Sequence, residues 1–133
     1  MHVRFLFALP VFLLAPVARA QSEILVTSRF TDQVLRYDLA SGAFLGVFAS
    51  GGGLDNPVGL TFGPDRNLYV ASGETDQVLR YDGTSGAFLG VFAQSALLDA
   101  PRQVNFGPDG DLYVASGATD RILRFEGVSG ASK

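Results

Sequence analysis

The chain repeats itself. Asp32-Gln33-Val34-Leu35-Arg36-Tyr37-Asp38 returns as Asp76-Gln77-Val78-Leu79-Arg80-Tyr81-Asp82 and again as Asp120-Arg121-Ile122-Leu123-Arg124-Phe125-Glu126, offset by 44 residues both times. The segment 41–49 recurs unchanged at 85–93, Pro57 recurs as Pro101, and Phe62-Gly63-Pro64-Asp65 recurs as Phe106-Gly107-Pro108-Asp109. Residues 24–67 match residues 68–111 at 26 of 44 positions without an insertion. A period of this length belongs to architectures that stack one supersecondary unit on copies of itself, because a single unit cannot bury its own apolar surface.

Each unit holds four short runs rich in Val, Leu, Phe and Tyr, bounded by Gly, Pro, Ser and Asp, which is the pattern of strands and turns. In the unit that has all four, the runs fall at 58–62, 68–72, 77–82 and 87–93, lettered a to d. Segments 63–67 and 82–86 read as the a-to-b and c-to-d turns. Beyond position 20, no stretch of eleven residues carries a helical apolar stripe. Strand d sets Phe88 and Phe92 on one face and Leu89 and Val91 on the other, which predicts cover on both faces. Gly90, in the middle of d, suits a twisted outer strand. The fold class expected is therefore all-β, a partial β-propeller of about two and a half four-stranded antiparallel blades built on a 44-residue repeat. A solenoid or a stacked sandwich is the alternative.

The first twenty residues are of another kind. A basic start (1–4), an apolar run (5–17) interrupted by Pro10 and Pro16, and Ala18-Arg19-Ala20 form an export signal cut after Ala20. The run has thirteen residues, short of the roughly 20 that cross a bilayer as a helix. The domain reading is thus 1–20 signal peptide and 21–133 propeller repeats, in units of about 24–67, 68–111 and 112–133, with a secreted or periplasmic location. The processed chain keeps seven Arg and one Lys against thirteen Asp and Glu, a net charge of 8 − 13 = −5. The Arg residues are spread singly, so neither nucleic acid nor an anionic membrane surface is expected as a partner.

The run 57–72, with Pro57-Val58-Gly59, Gly63-Pro64-Asp65 and Leu68-Tyr69-Val70-Ala71, followed by Asp76-Gln77-Val78-Leu79-Arg80-Tyr81, resembles the NHL-type repeat of six-bladed propellers. That group is similar to the streptogramin lyase-like and gluconolactonase-like propellers. The resemblance covers nearly all of the chain after residue 20 and implies the fold; propellers of this group include enzymes, binding modules and secreted proteins of other roles. The sequence departs from the pattern in two places: the eponymous His is missing, and Arg102-Gln103 stands where the previous unit has Val58-Gly59.

Ten strands are expected, in the order b, c, d, then a, b, c, d, then a, b, c, whereas a closed ring takes four to eight blades. Each terminal face leaves about five apolar side chains uncovered, an upper-bound loss on the order of 10 kcal/mol per face. The chain is accordingly expected to be part of a longer propeller, or to self-associate through its open blade faces.

Little catalytic chemistry is on offer. There is no Cys, and the one His is His2, inside the export signal, so Ser-His-Asp and Cys-His arrangements and His-ligated metals are excluded from the processed chain. No catalytic residue, metal ligand or cofactor is assigned. Asp109-Gly110-Asp111 reads as a turn, with a calcium loop as the alternative. Asp32, Asp76 and Asp120 are expected to accept backbone N–H bonds and close the b-to-c turns. Arg36, Arg80 and Arg124 are expected to form a charge ladder with Asp38, Asp82 and Glu126. Tyr69, Tyr81 and Tyr113 are expected in the core with bonded hydroxyls.

Units differ most in the b-to-c and d-to-a loops, which a propeller places at one end, around the channel mouth. Candidate ligand-binding residues are Arg29, Phe30 and Glu74 in b-to-c loops, and Arg102, Gln103 and Asn105 on an inner strand. A gluconolactonase-like metal site would need carboxylate and Asn ligands from several inner strands, and only Asn105 is so placed. The role expected is binding or scaffolding, with a protein, small-molecule or carbohydrate ligand. The alternative is part of a lactonase-like or lyase-like enzyme whose catalytic residues lie in further blades.

Overall fold

A computed structural model describes residues 22–133. The export signal expected at 1–20 lies outside the described residues. Ten strands follow one another: β1 (Glu23–Ser28), β2 (Gln33–Asp38), β3 (Phe44–Ser50), β4 (Pro57–Phe62), β5 (Leu68–Ser72), β6 (Gln77–Tyr81), β7 (Phe88–Gln94), β8 (Pro101–Phe106), β9 (Leu112–Ser116) and β10 (Arg121–Phe125). They form three antiparallel meanders, β1-β2-β3, β4-β5-β6-β7 and β8-β9-β10, referred to below as blades 1, 2 and 3. Ser132 adds a single bridge to Phe125, at the place where blade 2 has its fourth strand. The ten strands come in the expected order, and the four given bounds from the sequence agree with β4 to β7 to within one residue at each end.

Period-2 alternation in the middle blade explains the stacking. Leu68, Val70, Leu79 and Tyr81 face blade 1 and share a core with Val34, Ala49 and Leu54. The intervening Tyr69, Ala71 and Val78 face blade 3 and share a second core with Val104, Leu112, Val114 and Phe125. All seven of these blade 2 side chains are at most 1% exposed, so this sheet is covered on both sides by neighbours of its own kind.

Inner strands lie closest. A Cβ on Gly59 of β4 would sit 2.9 Å from Gln103 Cα of β8 and nearer still to the Arg102 carbonyl oxygen, so only glycine lets the two backbones meet there. Toward the rim the sheets diverge. Phe92 is buried, but Phe88, Leu89 and Val91 stay 42–45% exposed, against the expectation that strand d is covered on both faces. The register of β6 on β7 shifts twice around Gly90, whose φ of +139° few side chains could adopt, and the outer strand twists away from the neighbouring sheets.

The Asp residues before strand c were expected to close their own turns, but two of them bond across to the next blade instead. Asp32 and Asp76 adopt left-handed φ values, and each carboxylate accepts the backbone N–H of a residue entering the next blade: Asn56 N–H donates to Asp32 at 2.8 Å and Ala100 N–H to Asp76 at 2.8 Å. They are clamps between blades. Asp120 has the same φ and makes no such bond. Ser72 reinforces the same loops, donating to the Asp55 and Gly53 carbonyls and accepting from Asp55 N–H; Ser116 does likewise with Asp99 and Leu97.

The expected charge ladder does not form. Asp38, Asp82 and Glu126 each turn back to cap the following turn, accepting from Ser41, Ser85 and Ser129. Arg80 lies over the Phe92 ring, Arg36 reaches Glu23 at 4.0 Å, and Arg124 pairs with Asp109 and Asp111. An Asx turn satisfies a carboxylate within three residues of its own backbone, which outcompetes an exposed arginine worth under about 1 kcal/mol.

Candidate functional site

The b-to-c and d-to-a loops come together at one end of the blades, as their positions in the repeat require. There, Arg29, Asn56, Val58, Gly73, Glu74, Ala100, Pro101 and Arg102 line an open cavity of about 210 Å³ that receives residues from all three blades. Arg29 leaves the β1–β2 loop, Asn56 precedes β4, Glu74 leaves the β5–β6 loop and Arg102 lies on β8.

A short polar chain organises the wall. Arg29 Nε donates to Asn56 Oδ1 at 2.6 Å, and Asn56 Nδ2 donates to Glu74 Oε1 at 3.1 Å. Arg29 stands at the repeat position filled by Gly73 and Gly117 in the other blades. Those glycines are needed: a Cβ on Gly73 would meet the Asn56 carbonyl at 2.9 Å, and one on Gly117 would meet the Ala100 carbonyl at 2.9 Å, with Arg102 Cδ beside it at 2.8 Å. The Arg102 side chain therefore lies across the β9–β10 loop. Neither Arg29 nor Arg102 has an ion-pair partner among the described residues, and both are exposed. Two guanidiniums without an ion-pair partner, beside one carboxylate and one amide, make a wall rich in N–H donors, able to bind a ligand's acceptor oxygens.

Of the six residues singled out in the sequence, the structure gathers Arg29, Glu74 and Arg102 into this cavity. Phe30 is fully exposed and lies outside it. Gln103 and Asn105 line a separate shallow depression of about 160 Å³ with Tyr113, Ala115 and Ile122, on the outer face of blade 3. Asn56 was missed, because its two neighbours in the polar chain come from different units and no spacing rule connects them.

The acidic turn of blade 3 is already occupied. Asp109 accepts the Asp111 N–H and the Tyr113 hydroxyl, while Asp111 accepts from Arg124 at 2.7 Å, from Lys133 at 2.6 Å and from Gly127 N–H. The Lys133 ammonium, joined by Arg124 and the Gly127 amide, holds the Asp111 carboxyl down to about 2. Tyr69 and Tyr81 are core residues with bonded hydroxyls, to Asp65 at 2.9 Å and to the Gly51 carbonyl at 2.8 Å. Desolvation pushes each of these phenols up to about 12, with the Asp65 hydrogen bond adding to the effect at Tyr69. Tyr113 departs from the core expectation: its hydroxyl is bonded to Asp109, yet its ring is only half-buried, because no further sheet among the described residues covers it.

Solved structures share this architecture. A catalytically inactive histidine-to-alanine variant of virginiamycin B lyase from Staphylococcus aureus, with quinupristin, superposes with a TM-score of 0.68 at 17% identity, over 86% of this chain and 37% of that one. Hydrazine synthase from Kuenenia stuttgartiensis gives a TM-score of 0.68 at 21% identity, over 84% of this chain and 31% of the other. The WD40 β-propeller domain of Doa1 gives 0.60 at 17%, over 77% and 32%. The chain is a partial β-propeller that spans about a third of the length of these structures. At such identities the likeness extends to the fold alone. No protein-family model and no curated protein matches the sequence, and the NHL-type assignment rests on the motifs at 57–81.

Proposed function

We propose that this chain is a binding unit of an exported β-propeller, and that its loop end holds a small hydroxylated carboxylate of the sugar-acid class. The observation that carries the reading is the convergence of Arg29, Arg102, Glu74 and Asn56 on one opening. A ligand carboxylate matches the two arginines, which bind planar oxyanions through paired N–H groups. Ligand hydroxyls match Glu74 and Asn56, which can accept and donate respectively. Export rests on the signal read at 1–20, and completion of the ring by further blades, whether of a longer chain or of another copy, rests on the three described sheets being fewer than a closed propeller contains. The reading assigns no lyase turnover to residues 22–133, which contain no histidine.

Isothermal titration calorimetry with D-galacturonate, and with D-galactose as the uncharged counterpart, tests it. Galacturonate is expected to bind with a dissociation constant at or below about 1 mM, and Arg102→Ala and Arg29→Ala are each expected to weaken it about tenfold. Equal affinity for the two sugars, no heat below about 10 mM, or indifference to both substitutions would refute the assignment.

A further inference from the structure

Blade 2 shows what each face of this sheet requires. On one side Tyr69, Ala71 and Val78 lie at 1%, 0% and 0% exposure against blade 3. Forty-four residues on, the same positions are Tyr113, Ala115 and Ile122 on the outer face of blade 3, where Ile122 is 75% exposed. On the other side Leu68, Val70, Leu79 and Tyr81 lie at 0% against blade 1. Forty-four residues back, their counterparts are Ile24, Val26, Leu35 and Tyr37 on the outer face of blade 1, where Ile24 is 47% and Val26 41% exposed.

These two outer faces are the halves of a contact the chain already makes. In its interior, the Tyr69, Ala71 and Val78 face packs on Leu112, Val114 and Phe125. Tyr113, Ala115 and Ile122 repeat the first half, and Ile24, Val26 and Tyr37 repeat the second. We infer that a second copy of this chain covers both: the outer face of blade 3 in one copy docks on the outer face of blade 1 in the other, head to tail. A partner of different sequence would have to reproduce a surface that the repeat itself supplies.

A head-to-tail contact either closes into a ring or runs on as a fibre. Two copies of these described residues bring six sheets and three bring nine, and only six falls within the four to eight of closed propellers. A ring assembled from copies of the 133 residues alone is thus a dimer. The inference rests on the fold and the repeat, and it stands whether or not the loop end binds a sugar acid.

Sedimentation velocity of the full chain over a wide concentration range tests it, with Ile122→Asp, Val26→Asp and an equimolar mixture of the two. Both positions are exposed in the single chain, so both variants should retain the β-sheet circular dichroism spectrum. The parent chain is expected to sediment at twice the mass of one copy. Each variant alone should dissociate, its dimer constant weakened about 30-fold or more by a charge at the centre of the contact. In the mixture one contact is untouched while the other sets the two aspartates together, so a dimer held by a single contact and weaker than the parent's is expected. A parent chain that stays monomeric at all concentrations overturns the inference. So does a dimer broken by only one of the two substitutions, since that is a face-to-face contact.

Discussion

Replacing Gly59 by alanine interrogates the closest approach in the molecule. The added Cβ would sit 2.9 Å from Gln103 Cα and nearer still to the Arg102 carbonyl oxygen, both backbone atoms of the facing inner strand. Neither can rotate away as a side chain would, so relief requires β4 and β8 to separate by several tenths of an ångström, loosening the core around Tyr69 and Val104. Overpacking of this kind costs about 1–3 kcal/mol. In a domain of this size roughly 4 °C of melting temperature goes with each kcal/mol, so a drop of about 4–12 °C is expected. Thr84→Ala, in the exposed turn between β6 and β7, is the control and should change stability by less than about 0.5 kcal/mol. The assay is thermal unfolding at fixed protein concentration, followed by circular dichroism. Equal midpoints for Gly59→Ala and the parent would refute radial stacking of blades 2 and 3 through their inner strands, and the core description with it.

Other outcomes follow from the same geometry. Asp76→Ala orphans the Ala100 N–H and should cost about 1–2 kcal/mol, whereas Asp120→Ala, which breaks no clamp, should be close to neutral; paired urea titrations measure the difference. Tyr81→Phe removes the bond to the Gly51 carbonyl and should cost about 1 kcal/mol by the same method. The folded pKa of Asp111, about 2, lies below its ordinary value of 3.8, so its stabilisation is complete above about pH 4 and fades as pH falls toward 2. Melts of Asp111→Asn should show a shallower decline over that interval than melts of the parent. For Tyr69 and Tyr81 the sign reverses: their phenols are raised from 10 to about 12, so stability holds below pH 10 and is lost as pH climbs through 12, which an ultraviolet titration of phenolate absorbance alongside the melt would register.

The fold was legible because the repeat converts one unit's pattern into three. Alternation in 68–72 and 77–81 identified two apolar faces, and identical neighbours were the only partners available for both. Rim behaviour was not legible: Phe88, Leu89 and Val91 look like core residues in sequence, but the register shifts at Gly90 carry them outward, and strand twist has no compositional signature. The site divided in a similar way. Arg29, Glu74 and Arg102 were found because they break the repeat, and a departure from a repeating frame marks a position whose side chain the fold does not dictate. Asn56 escaped because its role depends on contacts with Arg29 and Glu74 across blades. The arginine ladder failed for a local reason, since each partner carboxylate is satisfied within its own turn before any long side chain arrives.

The clamp loops carry a consequence for how such a protein diversifies. Asn56 and Ala100 share a left-handed backbone, with φ of 51° and 48°, although one is polar and the other is not, and each is pinned by the aspartate of the preceding blade. Conformation at that end is dictated from next door, so the side chains there are released from any duty to shape their own segment. Selection can rewrite the chemistry of this surface residue by residue, as an interchangeable alphabet mounted on an unchanging chassis, while duplication of the unit multiplies the places where it can be written.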